Sequence, residues 1–304
     1  MRVFDTIGFG ALNVDKLFKV NKIASAEEES VITAYKEACG GSAANTIVAL
    51  ARLNCKVAFI GKVGPDREGR MLLEDFSREG VDVTGVVPAK HGRSGTVMGF
   101  VDGKGERALY IDSGVNDEVG VEELDMRRVF QTKFLHLTSF VGEKSLQTQK
   151  KLFEILPEEV LVSFDPGIIY ARRGLNELKP IIKRTFVMIP NAVELELLTG
   201  KTDYCKGAEA LLAEGIRIVA VKLGAEGCYV TDGRKSHSIE SYKVRVVDTT
   251  GAGDAFCAGF LYGLIKGKKL SDCGKIGNFV ASRCIMKVGA RTGLPHVKDL
   301  GFLA

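Results

Sequence analysis

Asp248-Thr249-Thr250-Gly251-Ala252-Gly253-Asp254-Ala255-Phe256 is the stretch from which the rest of the chain can be read. It follows a strand-like run, Lys243 to Val247, and opens a helix expected to continue through Gly259 to about Lys266. The glycines on either side of Ala252 free the backbone to present successive N–H groups at the turn. A helix that starts there directs unpaired N–H groups and a partial positive charge out of its first turn, which makes an anion site. Asp254 falls in or beside that turn, so a carboxylate stands next to any anion held there. Donors for a phosphoryl group beside a base for a hydroxyl are the working parts of phosphoryl transfer. A capped helix after a glycine turn, with Asp254 complementing the dipole, accounts for the same residues equally well, so the wider chain must decide.

Outward from that stretch, two N-terminal segments offer small and polar residues past strand ends. Val3 to Gly10 reads as a first strand. Its Gly8-Phe9-Gly10 invites the dinucleotide fingerprint, but Asn13 stands where the third glycine belongs, and an extended segment follows where a helix is required. What remains is a strand that delivers Asn13 and Asp15 just beyond its tip, as loop polars or as partners for vicinal sugar hydroxyls. Cys39-Gly40-Gly41-Ser42-Ala43-Ala44-Asn45 then leads into a helix over Thr46 to Leu53. Paired glycines there let a ligand approach the backbone, and Asn45 lies one turn into the helix.

The second half alternates strand and helix: strands at Phe134 to Thr138, Val160 to Phe164, Phe186 to Pro190 and Arg217 to Val221, with helices near 143–156, 174–183, 192–199 and 205–214. Such alternation means a parallel sheet covered on both faces, with ligands outside the carboxyl ends of the strands. The polar residues at those ends are Glu143, Asp165, Asn191 with Glu194, and Lys222 with Gly224. Asn191 and Glu194 suit either a helix dipole or hydrated Mg²⁺ beside phosphates, and Lys222 to Gly227 is either a β-turn or a nucleotide-lining loop. Segments 14–38 and 94–113 interrupt the alternation with extended residues and are expected to form a small separate sheet, a lid over the pocket. Ala255, Gly259 and Gly263 make a small-residue ridge that fits a neighbouring helix over 271–286, which carries Gly274, Gly277 and Ala281.

Composition sets the outer bounds. At 304 residues, 45% hydrophobic and 26% charged, the chain suits a sizeable α/β core, read as one domain over 1–304. A formal net charge of +4 without a basic, aromatic-interleaved run argues against nucleic acid, and no apolar stretch is long enough to span a bilayer. Seven scattered cysteines without a C-x-x-C pair, and no signal-peptide pattern, lead us to expect reduced thiols in a cytoplasmic protein without structural zinc. The four histidines show no ligand spacing.

Gly40-Gly41 with Asn45, then Asn191-x-x-Glu194, then Asp248 to Asp254, taken in this order, resemble the ribokinase (PfkB) family of carbohydrate kinases across essentially the whole chain. The last motif, running on through Cys257-Ala258-Gly259-Phe260, is the most specific. The resemblance implies a doubly wound, mostly parallel sheet between helices with a small β lid. It implies an ATP- and Mg²⁺-dependent kinase acting on a sugar hydroxyl, with a nucleoside as the alternative acceptor. It further implies that Asp254 is the catalytic base and that Gly251, Ala252 and Gly253 form the anion hole. Asn13, Asp15, Gly40, Gly41 and Asn45 would contact the acceptor, and Asn191, Glu194, Lys222, Gly224, Gly227 and Asn278 the nucleotide and its Mg²⁺, with Glu194 acting through water. A K⁺ ion near Asp248 and Gly289, and a homodimer formed through the lid, are also implied. Val162 to Gly167 and Gly289 to Pro295 look similar to archaeal nucleoside kinases of the family. The acidic run Glu27-Glu28-Glu29 would disfavour a phosphosugar acceptor if it faced the pocket. A non-catalytic sugar or nucleotide sensor on the same fold is the remaining alternative.

Overall fold

The computed structural model describes residues 3–303. Strand β1 (Phe4–Phe9) is followed by two strands that leave the main sheet, β2 (Asn13–Val20) and β3 (Ile32–Gly40). Helix α1 (Ser42–Arg52) leads back to it, and β4 (Val57–Val63), α2 (Arg67–Arg78) and β5 (Asp82–Pro88) complete one edge. The hairpin β6 (Gly95–Val101) and β7 (Arg107–Asp112) leaves the sheet again. The alternation then resumes with α3 (Met126–Val129), β8 (Thr132–Leu137), α4 (Glu143–Ile155), β9 (Leu161–Phe164), α5 (Gly167–Ala171), α6 (Gly174–Ile182) and β10 (Thr185–Met188). It ends with α7 (Ala192–Thr199), α8 (Tyr204–Ala213), β11 (Ile218–Lys222), β12 (Cys228–Thr231), β13 (Ser236–Ile239), α9 (Ala252–Ile265) and α10 (Leu270–Cys284).

Among the described residues the large sheet runs β13-β12-β11-β10-β9-β8-β1-β4-β5, parallel from β5 to β11 and antiparallel at the β11–β12–β13 edge. Strand alternation sends side chains to two cores. Ile7, Phe9, Ala58 and Ile60 pack with Leu146, Leu178, Leu195 and Leu211 of α4, α6, α7 and α8. Phe59 and Ile218 pack on the other side with Ile47, Phe76, Phe256 and Phe279 of α1, α2, α9 and α10. The second sheet, β3-β2-β6-β7, is the small separate sheet expected of the two inserted segments. No helix among the described residues is long and apolar enough to cross a membrane.

The small-residue ridge does what its spacing suggests. A Cβ on Gly259 would lie 2.9 Å from Gly277 Cα, and one on Gly263 would lie 2.9 Å from Cys273 Cα, so α9 and α10 meet backbone to backbone. That packing holds the start of α9 against the carboxyl ends of the strands. One expectation fails locally: Lys243 to Val247 forms no strand. Its alternation resembles a half-buried strand, but β13 already closes that edge. The segment is tied instead to the end of α10, through Val247 N–H and Asp248 N–H to Ile285 O, leaving Val246 and Val247 exposed.

Candidate active site

Gly251 caps α9 with φ 77°, the left-handed region glycine tolerates, and a Cβ there would strike Ala290 at 2.6 Å. The Ala252 N–H, expected to face an anion, is taken by Thr249 O at 3.1 Å, and the Ala255 N–H bonds to Gly251 O at 2.9 Å. The N–H groups of Gly253 and Asp254 precede it and open outward from the helix start. Asp254 therefore stands in the first turn, as its motif suggests. Its carboxylate is held from α1: Ser42 Oγ donates to Oδ1 at 2.6 Å, and Asn45 Nδ2 donates to Oδ2 at 2.8 Å. Thr46 Oγ1 donates to the Asp254 carbonyl at 3.2 Å. Burial raises the Asp254 carboxyl above its ordinary range, against the lowering pull of Ser42 and Asn45. A carboxylate restrained by two donors and made more basic by burial is suited to take a proton.

On the strand side of this turn lies a buried ion pair. Lys222, at the end of β11, places Nζ 2.6 Å from Asp165 Oδ2, just past β9. A Cβ on Gly253 would sit 3.3 Å from that Nζ, so the ammonium lies against the first turn of α9. Burial pulls the lysine down, but the Asp165 carboxylate overrides it and holds the ammonium charged. Cys257 Sγ reaches the same Asp165 oxygen at 3.3 Å. Glu194 and Asn191 form a capping box on α7: Asn191 N–H donates to Glu194 Oε2, and Glu194 N–H to Asn191 Oδ1, both at 2.8 Å. Burial first, then the Asp165 charge, push the Glu194 carboxyl up to about 7.

The residues expected to contact an acceptor gather at the start of β2 and the end of β3. Asn13 pairs with Gly40 and Asp15 with Ala38 across β2 and β3. Asn13 Oδ1 accepts from Asn116 Nδ2 at 2.9 Å. A Cβ on Gly40 would overlap the Asp15 carboxylate, and one on Gly41, at φ 103°, would reach 2.2 Å from Ala11 O. Asp15 is pushed up to about 6 by burial, against the pull of Arg291, with Asp254 adding a smaller push. Its field thus links the acceptor side to Asp254.

The remaining candidates frame the far side. Gly224 takes φ +59°, and Gly227, at φ +97°, approaches Ile239 O so closely that a Cβ would be 2.0 Å from it. Asn278 donates Nδ2 to Ile239 O and Glu240 O, both at 3.0 Å, and is buried behind that turn as its support. Asp248 accepts from Thr250 N and Oγ1 and from Gly289 N, tying the α9 turn to the 289–291 loop. Among the described residues, no group of three or more His, Cys, Asp or Glu is placed to hold a metal. Glu27, Glu28 and Glu29 are exposed on the lid loop, and Glu28 pairs with Lys22 at 3.0 Å.

Three participants carried no separate signal in the sequence. Ser42 was one small residue after paired glycines, Asp165 one of several polar residues at strand ends, and Arg291 one residue of a C-terminal loop. His136, by contrast, is a core histidine bonded to Ser163 Oγ at 3.1 Å.

A buried carboxylate beside an open helix start and a lysine ammonium is an arrangement that phosphoryl transfer to an alcohol requires, and it agrees with a phosphotransferase that has an alcohol acceptor. The chain belongs to the pfkB family of carbohydrate kinases, whose model matches residues 7–297. A relative from Archaeoglobus fulgidus, named an uncharacterized sugar kinase, is 51% identical over 253 residues, 82% of this chain and 99% of that protein. An ATP-dependent ribose-1-phosphate kinase from Halopiger xanaduensis is 36% identical over 83% of this chain and 82% of its own length. The fold matches that of an Arabidopsis thaliana ribokinase solved with ribose and ATP, with a TM-score of 0.90 at 23% identity, covering 100% of this chain and 99% of that one.

Proposed function

We propose that this sugar kinase moves the γ-phosphoryl group of ATP onto a hydroxyl of a ribose-type acceptor, with Asp254 as the base. The observation that carries this is the Asp254 carboxylate, fixed by Ser42 and Asn45 at the open end of α9. The acceptor oxygen bonds to the γ-phosphorus while the bond to the bridging oxygen of ADP breaks, and the hydroxyl proton goes to Asp254. The N–H groups of the α9 turn and the Lys222 ammonium receive the charge on the transferring oxygens. Asn13, Asp15, Gly41 and Asn45 orient the acceptor, and closure of the lid sheet excludes water. The turn at Gly224 to Gly227, with Asn278 bonded to Ile239 and Glu240 behind it, carries the nucleotide.

Magnesium fits at Glu194, because a cation relieves the burial and the Asp165 repulsion that raise that carboxyl. When bound with the nucleotide it supplies neutralisation of phosphate charge. Potassium fits Asp248 less well, since both carboxylate oxygens already accept chain donors, and no step is assigned to it.

Ribose 1-phosphate is the first acceptor to test. It is supported by the 36% identical relative of that name, and the pairing of Glu28 with Lys22 weakens the electrostatic objection to a phosphosugar. We read 1–304 as one kinase domain. Two copies would associate through the lid, where Tyr35, Phe18, Phe100 and Tyr110 form a continuous aromatic stripe on one sheet face. The test is a coupled transfer assay with Mg²⁺-ATP against ribose 1-phosphate, ribose, fructose and nucleosides. Turnover of a ribose acceptor is expected; turnover of nucleosides alone would replace the acceptor assignment, and none on any acceptor with ATP bound would favour a sensor.

A further inference from the structure

Arg291 reaches out of the 289–294 loop into the acceptor side of the site and is nearly buried there. Its Nε donates to Asn45 Oδ1 at 2.8 Å, Nη1 is ion-paired with Asp75 of α2, and Nη2 lies 3.4 Å from Gly40 O. The guanidinium sits over the Phe76 ring, 5.8 Å from its centroid. Its backbone is also held: Arg52 Nη1 donates to Arg291 O at 2.7 Å, and Arg52 is itself paired with Glu79 at 2.6 Å. The loop presses Ala290 against Gly251 and donates Gly289 N–H to Asp248. Arg291 therefore springs from a loop packed against the turn that carries Asp254, and it reaches back to α1.

The chemistry of this chain of contacts has one consistent orientation. A guanidinium only donates, an ionised carboxylate only accepts, and an asparagine amide has one end of each kind. Placed between Arg291 and Asp254, Asn45 satisfies both only with Oδ1 toward the arginine and Nδ2 toward the aspartate. Turned over, it sets oxygen against oxygen and N–H against N–H. The rigid fork of arginine holds Asn45 through Nε and Asp75 through Nη1 in one fixed plane, a geometry that the point charge of an ammonium on a flexible stem does not impose.

We propose that Arg291 is a positioning residue for the catalytic base: it locks the Asn45 amide so that Nδ2 stays bonded to Asp254 Oδ2 through the reaction. With Ser42 on Oδ1 and Asn45 on Oδ2, the carboxylate keeps its free lone pairs toward the acceptor hydroxyl. The lock also bars the amide from turning to accept a proton from Asp254 once that residue is protonated. This inference rests on Asp254 being the base.

The test is a double-mutant cycle in kcat, with Arg291→Lys and Asn45→Ala singly and together. Arg291→Gln is carried in parallel so that a folding failure of either arginine variant leaves the other as the test. Arg291→Lys keeps the charge opposite Asp75 and loses the Nε donor. It should cost about tenfold to a hundredfold in kcat, as loss of a charge-assisted hydrogen bond does, while the KM for ATP stays the same. In the Asn45→Ala background the same substitution should cost less than about threefold, because its effect passes through the missing amide. Equal losses in both backgrounds, or a loss confined to acceptor KM, would overturn the positioning role. Asp254→Asn is assayed alongside: if it turns over normally, the base assignment fails, a result distinct from additivity in the cycle.

Discussion

Ser42 and Asp254 lie 212 residues apart in the chain, yet Ser42 Oγ donates to Asp254 Oδ1 at 2.6 Å. The contact joins the first residue of α1, just after Gly40-Gly41, to the first turn of α9. The two glycine-rich segments thus meet at one carboxylate. A hydrogen bond to a charged group contributes about 1.5–3 kcal/mol, so Ser42→Ala should lower kcat by roughly tenfold to a hundredfold. Steady-state kinetics with saturating ATP measure this; a change in kcat below twofold would show that the hydroxyl does not restrain the base.

Lys222 and Asp165 form a buried pair, with side chains 13% and 6% exposed. Removing one partner strands the other charge, at a cost of about 3–5 kcal/mol, whereas replacing both with apolar residues recovers most of it. Urea unfolding should therefore find Lys222→Met strongly destabilised and Lys222→Met/Asp165→Leu close to the parent. The double variant should still be catalytically poor, having lost the ammonium beside Gly253. A Lys222→Met protein as stable as the parent would contradict the pairing.

The acid limb of activity has a definite direction. Burial holds Asp15 at about 6 and raises Asp254 as well, so both keep their protons to higher pH than ordinary carboxyls. In the proposed roles both must be ionised, so kcat/KM for the acceptor should fall as pH drops through about 6, not near the ordinary value of about 4. Ser42 and Asn45 donate to Asp254 and Arg291 pulls Asp15 down, while Asp165, Glu194 and Lys222 share the same field. A pH–rate profile between about 5 and 8 is the measurement; a flat profile down to pH 5 would contradict it.

Tyr110 is 58% exposed on the aromatic face of the lid, beside Phe100. Contiguous exposed apolar surface of this kind marks an interaction site. Tyr110→Asp should convert a dimer to a monomer in sedimentation experiments, with little effect on the kinase core. A parent protein that is monomeric at micromolar concentration would dismiss association through the lid.

The fold, and the place of the Asp254 turn in the candidate site, were legible because their signals are local. The turn before α9 is a glycine–helix start within nine residues, and the second sheet appears as strand-like alternation where the β/α order breaks. Lys243 to Val247 shows the limit of such patterns. Its alternation matched a strand, but a strand also needs a free sheet edge, which β13 already occupies. Ser42, Asp165 and Arg291 were not distinguishable because their partners lie 212, 57 and 246 residues away. Side-chain identity at one position says nothing of such contacts. Asn278 shows the reverse case: a residue type that suits a nucleotide contact, with its Nδ2 bonded to Ile239 O and Glu240 O.

The most direct test of Asp254 as the base is its replacement by asparagine, which preserves shape and removes the proton acceptor. Phosphoryl transfer to the best acceptor should fall by at least about a thousandfold while ATP binding, measured by calorimetry, stays within a few fold. Turnover near that of the parent, with ATP binding unchanged, would contradict the assignment and leave the carboxylate as a support for the helix start.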